Sequence, residues 1–178
     1  MGYFHNAGYF AVEGDDFREL FQLDGAPHER VLPPYVEYVK WRAGFRPPTG
    51  EALRQASAEL LRKHLARVPQ TNPFGRFRER FAADLEWLMK EDIASFHAYS
   101  FATLRQYGAC FELAETYLRW LGESEAAAPF REIAETAKAF QFQLARSMAR
   151  RKPLDLAPID AMGAAWQRGL DPLRTRFA

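Results

Sequence analysis

The chain has 178 residues, 48% hydrophobic and 15% aromatic, enough apolar material for one sizeable core, with or without a small appendage. Lysine and arginine number 24 against 23 aspartates and glutamates, so the basic excess of a general nucleic-acid binder is missing. One cysteine excludes an internal disulfide framework and fits a reducing compartment.

No run approaches the roughly 18 apolar residues of a membrane span. The first residues also lack the basic-then-apolar order of a signal peptide. The expectation is a cytoplasmic protein with neither nucleic acid nor membrane as partner.

Residues 2–12 alternate aromatic and small side chains, with Tyr3, Phe4, Tyr9 and Phe10, in the manner of a buried strand pair. No later stretch reads as a strand, and a lone hairpin is marginal in water. The hairpin is therefore expected to be the end of a sheet domain whose remainder lies upstream, with Met1 an internal methionine or an artificial boundary. From about residue 15 onward the chain reads as helix. Asp15 and Asp16 supply carboxylates for one or two helical turns. Pro33 and Pro34 open a short helix through Tyr35, Val36, Tyr38, Val39 and Trp41, ended by Gly44. Residues 46–50 form a linker in which Thr49 caps a helix reaching about residue 68.

Asn72 then caps a new helix with Pro73 in its first turn. Phe74, Phe77, Phe81, Leu85 and Leu88 recur at steps of three and four and predict one apolar face. Residues 95–121 read as a central helix, apolar over more than half its circumference and so expected to be surrounded by others. Phe130, Ile133, Ala137, Phe140, Leu144 and Met148 form another stripe. Ile159, Met162, Trp166, Leu170, Leu173 and Phe177 form the last, with a kink expected at Pro172. The expected fold is mainly α, a helical bundle-like domain preceded by a short β-hairpin. The division is 1–14 terminal strands, 15–70 connecting helices and 71–178 helical domain.

The central helix carries one narrow polar strip. At 100° per residue, His97, Arg105, Gly108, Glu112, Glu115 and Arg119 fall within a sector of about 80°. Two readings of Gly108 stand, a close helix crossing, which is the commoner, and a ligand lying along the strip. Arg105 and Glu112 are a structural ion pair or a clamp for a carbonyl or phosphate. Cys110 falls near the apolar side, without a histidine at local spacing to activate it, and is expected in the core.

The histidines at 5, 28, 64 and 97 have no metal-ligand spacing, so neither a metal nor any other bound cofactor is expected. Neither a glycine-rich phosphate loop nor a nucleophile-elbow serine occurs. His5 and Asn6 have the residue types of thiol or hydroxyl acyl-transfer sites. Asn6 equally suits a turn.

Several strings are similar to an uncharacterised bacterial family, domain of unknown function number 1839. They are residues 2–17, Asn72-Pro-Phe with the Arg-Phe-Arg that leads to Trp87, residues 96–114, and residues 152–158. The likeness runs over nearly the whole chain, which is similar to the C-terminal part of longer family members. The N-terminal half of the family resembles a papain-like fold with a cysteine near its start and a histidine on a later strand. A more distant resemblance is to the acyltransferase of butirosin biosynthesis, which joins a cysteine-peptidase-like domain to a helical one.

The hairpin would then be the remnant of a papain-like α+β domain. The resemblance implies attack of a thiolate on a carrier-protein thioester and transfer to an amine or water. Asn6 would orient the imidazole, with His5 beside it. His97, Arg105, Gly108 and Glu112 would line the groove for acceptor or pantetheine. The substrate arm is then the phosphopantetheine of an acyl or aminoacyl carrier protein, and the other partner is the N-terminal half of the family. Neither the cysteine nor the histidine of that site is present, so the chain alone is expected to be inactive. The alternatives are a non-catalytic helical module docking a carrier protein or partner enzyme, and an enzyme built on Cys110.

Overall fold

The structure, a computed structural model, describes residues 2–5, 8–21, 40 and 42–177, with side chains from residue 11 onward. The chain divides into two units, residues 1–46 and 47–178. The division falls at Pro47 and Pro48, whose fixed φ and missing N–H groups interrupt regular pairing.

In the first unit, β1 (Gly2–His5) and β2 (Gly8–Ala11) pair antiparallel with Tyr3 opposite Phe10 and Phe4 opposite Tyr9. Among the described residues this sheet has two strands. Helix α1 (Gly14–Leu20) starts after Glu13, whose side chain makes no capping bond; Asp15 and Asp16 sit in the first turn, where their charge is favourable at the positive end of the helix dipole. Asn6 and most of the helix expected near residues 34–44 lie outside the described residues.

The second unit is helical throughout. It comprises α2 (Gly50–Leu65), α3 (Pro73–Leu88), α4 (Ile93–Ser100), a π-helical turn (Phe101–Arg105), α5 (Gln106–Leu121), α6 (Ser124–Arg150) and α7 (Ala157–Phe177). The segment 15–70, expected as a connector, is shared between the units, with α1 in the first and α2 in the second. Thr49 is the N-cap residue of α2, though its side chain makes no cap bond. Asn72 caps α3 as expected, its side chain accepting from the Phe74 N–H, with Pro73 beside it.

The three phenylalanine- and leucine-rich stripes meet in one core. Phe81, Leu88, Ile133, Phe140, Leu144, Ile159 and Met162 are fully buried, with Phe81 and Phe140 rings 5.4 Å apart. Helices α5 and α6 pack as an antiparallel hairpin, and α7 lies against both α6 and α3. Gly122 closes α5 at φ +90°, and the Glu123 N–H returns to the Leu118 carbonyl at 2.8 Å. Helix α7 runs on through Pro172 as one element.

The π-turn replaces the single straight helix expected over 95–121. Phe96, Ser100, Leu104 and Gly108 are all buried. In a regular helix, three successive steps of four residues drift by about 120°. The wider π-turn takes back roughly one residue's rotation, so the four stay on one buried line. A uniform 100° wheel misses that change of phase.

The far side of α5 differs from expectation for a related reason. Cys110 is exposed, not in the core. Leu113 is exposed by 71% and Trp120 by 38%, although both count among the apolar residues of the segment. Leu113 and Trp120 project opposite Phe111 and Leu118, and Cys110 lies between the two sides, so α5 is apolar on its outer as well as its inner face.

Candidate binding groove

Helices α5 and α6 come together where side chains are smallest. A Cβ placed on Gly108 would lie 3.3 Å from the Ala137 Cβ and 3.6 Å from the Ala134 carbonyl oxygen. The glycine therefore answers first to a close helix crossing, the commoner of its two sequence readings. The same crossing leaves a groove of about 310 Å³ beside it, at the small end of ligand pockets. Arg105, Gly108 and Glu112 line it from one side, and Lys138, Gln141 and Phe142 from α6.

Three of the four strip residues proposed as substrate-binding thus share one groove. His97 does not. It lies on the exposed face of α4 with its ring 5.1 Å from that of Phe96. The intervening π-turn is what breaks the strip, because it rotates α4 relative to α5. His5 lies at the end of β1 in the other unit, and Asn6 is outside the described residues.

Arg105 and Glu112 do not form an ion pair. Their spacing of seven residues is two helical turns, roughly 10 Å along the axis. The Arg105 guanidinium instead stands over the Phe101 ring, 6.0 Å from its centroid. Among the described residues neither Arg105, Glu112 nor Lys138 has a salt-bridge partner. Neighbouring arginines do have them: Arg119 holds Glu115, Arg131 holds Glu135 at 2.9 Å, and Arg168 holds Glu132. The Arg119 hydrogen bond keeps the Glu115 carboxyl below its usual range.

Lys138, Gln141 and Phe142 are the residues that sequence reasoning missed. They fall on the polar side of a stripe used only for its core positions. The signal that could have found them is the pairing of small residues, Gly108 against Ala134 and Ala137, which fixes which flank of α6 faces the strip.

The remaining polar chemistry is structural. The Tyr99 hydroxyl donates to Asp84 at 3.1 Å, and Asp84 also pairs with Arg80 at 2.9 Å. Burial first, and Asp84 second, pushes the Tyr99 phenol up. Tyr107 lies edge-on to Phe74 and stacked on Phe77, with its phenol pushed up by burial and its hydroxyl without a partner. Arg151 closes α6 at φ +50° and donates to the Met89 carbonyl at 3.3 Å, so Arg150, Arg151 and Lys152 are basic residues of a helix end, where they complement the dipole. Among the described residues no group of three or more histidine, cysteine, aspartate or glutamate side chains converges as a metal site.

Residues 50–175 match the DUF1839 C-terminal domain. The chain belongs to the DUF1839 family. Residues 1–41 match the DUF1839 N-terminal domain, so the gap between the two matches spans the 46/47 division of the structure. No curated protein and no solved structure matches the chain. No helix among the described residues is long and apolar enough to cross a membrane.

Proposed function

We propose that this DUF1839 chain is the non-nucleophilic part of an aminoacyl or acyl transferase acting on a carrier-protein thioester. Its helical domain receives the substrate arm in the α5–α6 groove. The thiolate and imidazole of the reaction would be supplied outside residues 1–178, with Asn6 orienting the imidazole and His5 adjoining it. The hairpin is read as the edge of a papain-like sheet, because its register sets aromatic opposite aromatic at two successive positions. Such positions serve opposite faces of a strand, and a sheet apolar on both faces needs cover.

The observation that carries the reading is the groove itself. It combines two cations, a carboxylate and an amide with apolar walls, which suits a phosphate-bearing, amide-containing chain such as phosphopantetheine. Arg105 and Lys138 would meet its charged end, while Glu112 and Gln141 would meet its amides.

The second reading is a binding module that docks a carrier protein or partner enzyme and does no chemistry. It is favoured by the exposed apolar side chains of Leu113 on α5 and Phe142 on α6, which suit a protein partner. Isothermal titration with a carrier protein separates the two. The transferase reading expects the phosphopantetheinylated carrier to bind this chain at least about tenfold more tightly than the carrier without its arm, some 1.4 kcal/mol. Equal affinities would leave only the docking reading, and no binding of either would remove both.

A further inference from the structure

We infer that the α5–α6 groove is a phosphate site in which Lys138 and Arg105 grip the anion together, an assignment that rests on the arm-binding reading only for the rest of the ligand. Lys138 and Arg105 reach the groove from different helices, and neither is neutralised by a carboxylate among the described residues. Glu112 lines the same groove without a salt bridge to either among the described residues. That contrasts with the satisfied arginine–glutamate pairs on the surrounding helix faces.

The local backbone supports the assignment independently. Arg105 is the last residue of the π-turn, and such turns inside α-helices recur at functional sites. The Ser100 hydroxyl at the head of that turn is buried to 1% exposure and has no hydrogen-bond partner. An unpaired buried hydroxyl is unfavourable. Ser100 faces the buried side of that turn, so the irregular segment is the one that carries the arginine lining the groove. The guanidinium stands over the Phe101 ring, 6.0 Å from its centroid, a contact that leaves its in-plane N–H groups to other partners.

Two cations and one carboxylate leave the groove with a single net positive charge. A phosphate group offers several acceptor oxygens around one centre, so it can engage both cations at once; on a carrier serine it is a diester with one negative charge, which matches that of the groove. Glu112 then stands where it repels a second anion and can accept an N–H from the chain that carries the phosphate.

The test is a titration of the full chain, followed by amide chemical shifts, with three probes: inorganic phosphate, phosphopantetheine and pantetheine. Inorganic phosphate should shift Arg105, Gly108 and Lys138, and phosphopantetheine should bind at the same residues more tightly than either other probe. Lys138→Ala and Arg105→Ala, both at exposed positions, should each weaken phosphopantetheine about tenfold with an unchanged melting temperature. Glu112→Gln should tighten inorganic phosphate, the reverse of what a structural ion-pair role for Glu112 predicts. Phosphopantetheine no tighter than inorganic phosphate would keep the phosphate site and remove the arm-binding reading. Pantetheine as tight as phosphopantetheine, unaffected by Lys138→Ala, would overturn the phosphate site and keep that reading. Shifts with none of the three would overturn both.

Discussion

The Asn72 side-chain amide donates to the Gly163 carbonyl at 2.8 Å, joining the start of α3 to the middle of α7. The same side chain accepts from the Phe74 N–H at 3.1 Å. Gly163 completes the contact, since a Cβ there would lie 3.0 Å from the Phe74 Cβ. One asparagine therefore both caps a helix and sets the distance between two helices.

Asn72→Ala removes the cap and leaves the Gly163 carbonyl without its donor. The expected loss is about 1–3 kcal/mol. Gly163→Ala pushes a methyl group against Phe74 for a similar loss, about 1–3 kcal/mol. Because the two sites share Phe74, the double variant should lose less than the sum, read from urea unfolding midpoints. Strict additivity would show that the two contacts are independent.

At Gly108 two effects oppose each other. Alanine gains about 1 kcal/mol of helix propensity but meets Ala137 at 3.3 Å. The net change for Gly108→Ala should lie within about 1 kcal/mol of zero. Gly108→Leu has no room at the crossing and should lose more than about 2 kcal/mol by thermal unfolding. A neutral leucine variant would mean that α5 and α6 are not in close contact there.

Gly122 holds φ +90° and ends α5 so that α6 can fold back. Gly122→Ala places a Cβ in the left-handed region at a loss of about 1 kcal/mol. The change has open space around it, so the loss is conformational alone. Gly122→Asn should recover part of it, because asparagine tolerates that region. Thermal melts of the three proteins in parallel give the order Gly, Asn, Ala.

Asp92 caps α4, accepting from the Ser95 N–H at 2.8 Å, and that backbone hydrogen bond holds its carboxyl below the usual aspartate range. A depressed acid contributes stability that is fully present above the unfolded value near 3.8 and is lost as pH falls through the native value. Asp92→Asn keeps an acceptor but removes the titration. The melting-temperature gap between wild type and variant should close as pH falls from about 5 to about 2. A gap that is constant with pH would show that the carboxylate charge plays no part in the cap.

The helices of the second unit were legible wherever apolar residues recur at uniform steps. Phe74 to Leu88, Phe130 to Met148 and Ile159 to Phe177 all face the core as their spacing predicts. The Asn72-Pro73 start was equally plain, because cap and proline signals are local. The strip on 95–121 was only partly legible. A uniform wheel joins His97 to Arg105, whereas the buried line Phe96, Ser100, Leu104, Gly108 needs the π-turn that separates them. Cys110 was misread because α5 is apolar on both sides, and composition cannot tell which side the neighbouring helices cover. Lys138 and Gln141 are harder to read for a different reason. They join the site only through the α5–α6 crossing, and the small residues Gly108, Ala134 and Ala137 are its one trace in the sequence.

Entry of a carrier protein's arm into the α5–α6 groove is tested most directly by amide chemical-shift mapping of the full chain on addition of phosphopantetheinylated carrier. The largest changes are predicted at Gly108, Ala109, Lys138 and Gln141, and they should be missing with a carrier whose attachment serine has been replaced. Changes confined to other faces, such as the exposed Trp87 on α3, or identical changes with both carriers, would contradict it.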